Sequence, residues 1–206
     1  MHWYCGIELV DAEVSIVTND FGISLRNGNL LTGAGNPDMS IASDLKYDDQ
    51  NGHIAMFTRT QSIGELQQYV DGIATGSTTG GTNNLVSPSR ITIGSLQTNL
   101  GWYEGGISEV IVYNSPLNSA ERILAENYLG AKYGISIATN DKYEGDLPDN
   151  GNQLKDVSGI GKETDGVNST AHSGSLMIHE NNGSLGVGEY LLAGHNAVEN
   201  SWTNAH

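Results

Sequence analysis

The strongest structural signal in the sequence lies at residues 105–134, which read GGISEVIVYNSPLNSAERILAENYLGAKYG. Residues 107–113 are rich in β-branched side chains, which fit a pleated, half-buried surface. Pro116 ends this run because it has no backbone N–H to donate. We therefore predict a strand over residues 107–113 that lies in the core of a β-sandwich.

The second half of the same stretch predicts a helix over residues 118–133. Asn118 and Glu121 have the spacing of a capping box, in which each side chain bonds the other's backbone N–H. Gly134 suits the left-handed position that follows a helix. Apolar residues recur between these two ends at helical spacing, namely Ala120, Ile123, Leu124, Tyr128 and Ala131.

The chain before this stretch predicts short strands joined by polar turns. Asn27-Gly28 separates two apolar runs and indicates a tight hairpin, because both central residues of such a turn need positive φ. In residues 65–70 the side chains alternate, so that Leu66, Gln68 and Val70 share one face of a strand. The 27 glycines of the chain fit this many turns. The sequence is therefore typical of an all-β protein.

Charge narrows the classes of partner. The chain carries 9 Lys and Arg against 24 Asp and Glu, a formal net charge of −15. Phosphates would be repelled, so we expect no nucleic-acid partner. No run approaches the roughly 20 apolar residues of a membrane span, so we expect no membrane insertion. The acidity fits either solubility in a salty or extracellular setting or the binding of a divalent cation.

The composition changes after residue 137. Residues 138–152 are acidic and contain Gly and Pro, which predicts a linker. Residues 153–206 hold three strand candidates, at 157–161, 175–179 and 189–193, which predicts a partial β-rich segment. The first residues lack the basic start and apolar core of a signal peptide. We expect the chain to be a fragment of a longer protein.

Four pieces of the sequence, in matching order and spacing, resemble laminin G-like domains of the concanavalin A-like superfamily. Such domains are common in secreted multidomain proteins of the Bacteroidetes type. The pieces are LQQYVDG at 66–72, ITIG at 91–94, GISEVIVYNSPLNSAER at 106–122 and YLGAKYGI at 128–135.

The resemblance implies an antiparallel two-sheet jelly-roll sandwich over residues 1–137 that ends in the helix at 118–133. It also implies an extracellular or cell-surface module that binds glycan or protein, in some members with one calcium ion. The family's opening strands are short or absent here, which would leave a sheet edge uncovered. An uncovered edge favours a homo-oligomer through strand pairing.

Three acidic residues are candidates for a calcium site. Asp48 and Asp49 lie in a loop before a strand, and Asp71 lies at a hairpin turn. Carboxylates from separate loops hold a hard cation only if the loops meet at one rim of the sandwich. The alternative is that Asp71 forms its turn and that Asp48 and Asp49 belong to a solvated loop.

Three aromatic residues are candidates for ligand contact, because aromatic rings stack on the C–H faces of sugars. Trp102 and Tyr103 follow Gly101 in a predicted loop, and Tyr69 lies in the strand at residues 65–70. The alternative for Tyr69 is a place in the core or a cross-strand contact.

One acidic motif suggests catalysis. Glu8, Asp11 and Glu13 resemble the carboxylate motif of family 16 glycoside hydrolases, which belong to the same superfamily. A retaining mechanism needs two carboxyls about 5–5.5 Å apart. Asp11 and Glu13 share a strand face, whereas Glu8 lies on the opposite face unless a bulge intervenes. We expect a non-catalytic carbohydrate- or protein-binding module of the adhesion type. A glycan-active hydrolase and a structural spacer are the alternatives.

Overall fold

The structure, a computed structural model, describes residues 3–13, 20–35, 39–85, 90–174 and 176–196. It confirms the all-β class with one helix, since several antiparallel sheets make up most of the regular structure. The chain divides into two compact units. The first comprises Met1–Val70 and Ala74–Pro116, and the second comprises Asp71–Ile73 and Leu117–His206.

The first unit contains an antiparallel five-stranded sheet in the order β4-β3-β2-β1-β8. Its strands are β1 (Ile7–Asp11), β2 (Phe21–Arg26), β3 (Asn29–Ala34), β4 (Met39–Lys46) and β8 (Thr92–Ile93). A second sheet has the order β5-β6-β7, formed by β5 (Ala55–Thr60), β6 (Glu65–Val70) and β7 (Ile73–Thr79). The predicted turn between β2 and β3 is confirmed, because Asn27 and Gly28 have φ of 54° and 86°.

The core of the first unit joins its two sheets. Ala34 and Ile41 of the five-stranded sheet pack with Leu66 of β6. The alternation predicted for β6 is confirmed, since Leu66, Gln68 and Val70 are buried. Gln68 is satisfied there, because its Nε2 donates to the Thr32 hydroxyl at 3.2 Å and its Oε1 accepts from Thr75 at 2.7 Å.

Trp3 covers the other face of the five-stranded sheet. It belongs to a short 3₁₀ helix, Trp3–Cys5, and is fully buried. A Cβ added at Gly22 or Gly33 would collide with the indole ring. Both positions therefore require glycine, because the ring lies directly on the sheet backbone.

The structure does not contain the strand that we predicted at residues 107–113. Among the described residues this segment pairs with no strand, and Val110, Ile111 and Val112 are exposed. The preference of β-branched residues for strands is realised only where neighbouring strands supply packing. The placement of this segment in the sandwich core is therefore wrong.

The predicted helix is confirmed as α1 (Ser119–Tyr133). Its capping box is complete, and Gly134 has φ of 67° with its N–H bonded to Gly130. The helix nevertheless groups with the second unit, not with a sandwich ending at residue 137. The reason is packing, because Ala131 forms a buried cluster with Tyr143 and Val157.

The strands of the second unit form two small sheets. One has the order β10-β9-β13 and the other pairs β11 with β12. Their bounds are β9 (Lys155–Glu163), β10 (Gly166–Asn168), β11 (Thr170–Ser173), β12 (Leu176–His179) and β13 (Tyr190–His195). β9, β12 and β13 overlap the three predicted strand segments, whereas β10 and β11 were not predicted. Residues 175 and 197–206 lie outside the described part of the chain.

Residues 138–152 are more ordered than the predicted linker. They contain two 3₁₀ helices, Glu144–Asp146 and Pro148–Asn150, and the buried Tyr143. The Tyr143 hydroxyl donates to the carbonyl of Gln153 at 2.7 Å. None of the helices in the described ranges has the length and apolar character needed to cross a membrane.

Candidate functional site

A β-bulge in β1 determines on which face of the strand the side chains of Glu8 and Asp11 lie. Glu8 pairs with Ser24 of β2, whereas the next paired residue, Val10, faces Ile23, so Leu9 is the extra residue. In a regular strand, residues three apart point to opposite faces. The bulge shifts this alternation, and Glu8 and Asp11 are both fully buried.

Glu8 is a buried carboxyl group. Neither of its side-chain oxygens has a hydrogen-bond partner among the described residues. Burial, together with the nearby charges of Asp11 and Glu13, raises the pKa of Glu8 to about 9. Removing a carboxylate from water disfavours the charged form, so Glu8 holds its proton at neutral pH.

Asp11 is buried with its hydrogen bonds satisfied. Its Oδ1 accepts from the backbone N–H of Glu13 at 2.9 Å, and its Oδ2 accepts from the N–H of Gln97 at 2.8 Å. The Thr92 hydroxyl lies 3.4 Å from the same Oδ2. Asp11 thus ties together three segments of the first unit, which is a structural task.

The carboxyl groups of Glu8 and Asp11 are not accessible to a substrate in this structure. A retaining glycosidase needs a nucleophile and an acid that both reach the sugar. Glu8 and Asp11 are each 0% exposed. Glu13 follows the end of β1 and is half-buried. Of the three acids, only Glu13 is therefore within reach of a sugar.

Trp102 lies on a loop that we call the Trp102 loop, residues 94–103. This loop is held by backbone hydrogen bonds to β1 and within itself. They join Gly94 N to Leu9 O (3.0 Å), Glu8 N to Gly101 O (3.1 Å), Leu96 N to Leu100 O (2.9 Å) and Tyr103 N to Gly94 O (2.9 Å). The bond from Asp11 to Gln97 adds a side-chain anchor.

The Trp102 loop presents apolar surface to solvent. Trp102 is 58% exposed and Leu100 is 62% exposed, while the adjoining Ile93 is 56% exposed. Tyr103 is half-buried, and a Cβ added at Gly105 would collide with its ring. Of the two aromatic residues predicted in this loop, Trp102 is therefore the one available to a ligand.

Tyr69 belongs to a different sheet from the Trp102 loop. It lies on the outer face of β6, pairs with Met56 of β5, and donates from its hydroxyl to Gln67. The three predicted aromatic contacts therefore come from two sheets. The cross-strand alternative fits Tyr69, because it stands opposite Met56 in the ladder.

The acidic residues predicted for calcium have local roles. Asp49 accepts from the backbone N–H of Asn51 at 2.9 Å and contacts His53 Nε2 at 3.0 Å. These bonds, with that of His53 first, hold the pKa of Asp49 well below its usual range. The carboxylate of Asp48 lies close against Gly28 of the β2–β3 turn.

Asp71 adopts φ of 50° and is followed by Gly72 with φ of 82°, which is the geometry of a tight hairpin turn. The turn-forming alternative therefore accounts for Asp71. It groups with the second unit, whereas Asp48 and Asp49 belong to the first. Within the described ranges, no group of three or more His, Cys, Asp or Glu residues is arranged to hold a metal ion.

Gln97 anchors the Trp102 loop, although no pattern in the sequence predicts this role. Its backbone bonds Asp11, and its side chain and carbonyl exchange hydrogen bonds with Arg90 at 3.1 Å and 2.8 Å. Gln97 and Asp11 are 86 positions apart. No short-range pattern carries a signal for such a contact.

Three comparisons with known proteins gave no match. No protein-family model matches the chain, and neither a curated protein nor a solved structure matches it.

Proposed function

We propose that the first unit is a non-catalytic binding module of an extracellular protein, and that Trp102 is its main contact with a carbohydrate ligand. The observation that carries this proposal is a largely exposed indole on a loop whose backbone is already fixed. Binding costs less when the contact residues are ordered beforehand. The four sequence pieces that resemble laminin G-like domains support the same class of function.

The chemistry of the loop favours a neutral sugar ligand. An indole face packs against the C–H face of a sugar ring and needs no charge on the ligand. The net charge of −15 would repel sulfated or uronic-acid polymers. A protein ligand, which the resemblance also allows, would give binding to protein-coated surfaces and none to polysaccharides.

The test is a binding assay on insoluble neutral polysaccharides: cellulose, xylan, mannan and chitin. Trp102→Ala should weaken binding by roughly 2 kcal/mol, more than tenfold in Kd, as expected for truncation of a central aromatic contact. Leu100→Ala is the matched control, because Leu100 is equally exposed on the same loop. Equal loss in both variants, or no loss in Trp102→Ala, would contradict the proposal.

A glycoside hydrolase that uses Asp11 and Glu13 is the second candidate function. The observation in its favour is that the Glu13 N–H donates to Asp11 Oδ1 at 2.9 Å, which keeps the two acids close together, and that Glu13 is only half-buried. The test is release of reducing sugar from the same polysaccharides. Turnover by the natural chain that disappears in Glu8→Gln and Glu13→Gln would establish this second function.

Self-association through a sheet edge is a separate expectation about partners. The outer strands of the five-stranded sheet are β4 and β8, and β8 has two residues. β4 is the longer of the two edge strands, and an edge strand presents N–H and C=O groups with which a second copy of the chain can pair. Light scattering after size-exclusion chromatography tests this expectation, with a dimer mass as the supporting result and a monomer mass as the contrary one.

A further inference from the structure

The β11–β12 hairpin has one buried and one exposed face. Ala171 and Ile178 face each other across the hairpin and pack with Ile160 of β9 in a buried cluster. Because side chains alternate along a strand, the residues on either side of them point the other way. That outer face carries Thr170, His172, Met177 and His179.

Three of these outer residues lie close together. His172 stands directly opposite Met177, so their Cβ atoms are about 4.5–5.5 Å apart. His179 follows Met177 by two residues on the same strand and stands diagonally across from His172, a separation of about 7–8 Å between Cα atoms. Side chains of this length can converge on one point above the hairpin.

The ring of His179 is already oriented. Its Nδ1 lies 3.0 Å from the hydroxyl oxygen of Thr170, its cross-strand partner. When Nδ1–H donates to that oxygen, the lone pair of Nε2 is left for a metal. Histidines that bind metals usually have their second ring nitrogen held in this way.

The three side chains offer two imidazole nitrogens and one thioether sulfur. Thioether sulfur selects soft ions, above all Cu(I), and imidazole also binds copper. Hard cations such as calcium need oxygen ligands, which this set lacks. His172 and His179 are exposed and Met177 is 64% exposed, so an ion reaches all three without any opening of the fold.

We propose that the outer face of the β11–β12 hairpin binds one soft monovalent metal ion, Cu(I), through His172, Met177 and His179. Thr170 is a positioning residue that acts through His179. The site lies wholly in the second unit and does not depend on the function proposed for the Trp102 loop. Coordination adds three bonds to the metal and involves no change of oxidation state.

The experiment uses the full chain with Cys5→Ser, because Cys5 is an exposed free thiol that would bind the same ions. Ag(I) serves as a redox-stable probe in calorimetry. In a second titration under anaerobic conditions, Cu(I) is partitioned between the protein and a coloured competing chelator. One ion should bind per chain. Met177→Leu, His172→Ala and His179→Ala should each weaken Ag(I) binding by about tenfold or more.

Two controls separate this site from general affinity for soft ions. Met56→Leu removes a methionine in the first unit, on β5, and should leave Ag(I) binding unchanged. In the natural hairpin, Ag(I) should shift the methyl resonance of Met177 and no other methionine methyl. Unchanged Ag(I) affinity in Met177→Leu, with the fold intact by circular dichroism, would overturn the proposal.

Discussion

Asp11 and Gln97 are joined by a hydrogen bond of 2.8 Å between a buried carboxylate oxygen and a backbone N–H. The bond connects the end of β1 to the Trp102 loop. Its acceptor is one of the acids that resemble a catalytic motif, yet the acid is fully buried and acts as an anchor. In the structure, Asp11 therefore supports the Trp102 loop.

Asp11→Ala should loosen the Trp102 loop and destabilise the first unit. The substitution leaves the N–H groups of Gln97 and Glu13 without their acceptor. Hydrogen bonds to charged groups contribute about 1.5–3 kcal/mol each, so we expect a loss of that order in the free energy of unfolding. Urea titration measures the loss, and Asp49→Ala, in an exposed loop, is the control.

Glu8→Gln should flatten the pH dependence of stability. The pKa of Glu8 is about 9 in the folded chain against 4.5 as its ordinary value. Between these values the folded state retains a proton that the unfolded state has released. Stability from this group is therefore complete below about pH 4.5 and declines up to about pH 9, by at most about 1.4 kcal/mol per pH unit.

The measurement for Glu8 is the urea midpoint of both forms across this pH range. The natural chain should lose stability more steeply than Glu8→Gln as the pH rises. Parallel curves would mean that the Glu8 carboxyl is solvated or paired, contrary to its burial in the structure.

Replacing Arg122 alone should lower the free energy of unfolding more than replacing Arg122 and Glu126 together. Two hydrogen bonds of 2.8 Å and 3.0 Å join them inside α1, and Glu126 is almost fully buried. Arg122→Met leaves the carboxylate buried without its cation, a loss of about 3–5 kcal/mol. The double variant Arg122→Met with Glu126→Leu should recover much of that loss in thermal unfolding. A double variant as unstable as the single one would contradict this.

Calcium should have no effect on the thermal midpoint of the chain. The predicted calcium ligands Asp48, Asp49 and Asp71 have local contacts or a turn role. A ligand that binds only the folded state must raise the midpoint. Melting curves with calcium chloride and with a chelator should coincide. A rise with calcium that is lost in Asp49→Asn would restore the calcium hypothesis.

Local chemistry explains which parts of the fold were predictable. The Asn27-Gly28 turn depends on the conformation of two residues, and both have the expected positive φ. The helix depends on Asn118, Glu121 and Gly134, all within one short segment, and each caps it as expected. Alternation in β6 is likewise a property of consecutive residues.

Contacts between distant segments explain what could not be predicted. The bulge at Leu9 depends on how β1 meets β2, and it moves Glu8 to the same face as Asp11. Residues 107–113 have strand composition, but they belong to none of the sheets in the described part of the chain. The helix packs with Val157, which follows it in the chain by more than 20 residues. A pattern of neighbouring residues in the sequence does not predict any of these three features.

Polysaccharide binding and sugar release, measured in parallel for the natural chain, Trp102→Ala and Glu8→Gln, distinguish a binding module from a hydrolase. For a binding module we expect binding without sugar release by the natural chain, loss of binding in Trp102→Ala and full binding in Glu8→Gln. Sugar release by the natural chain that is abolished in Glu8→Gln would contradict the proposal of a non-catalytic binding module.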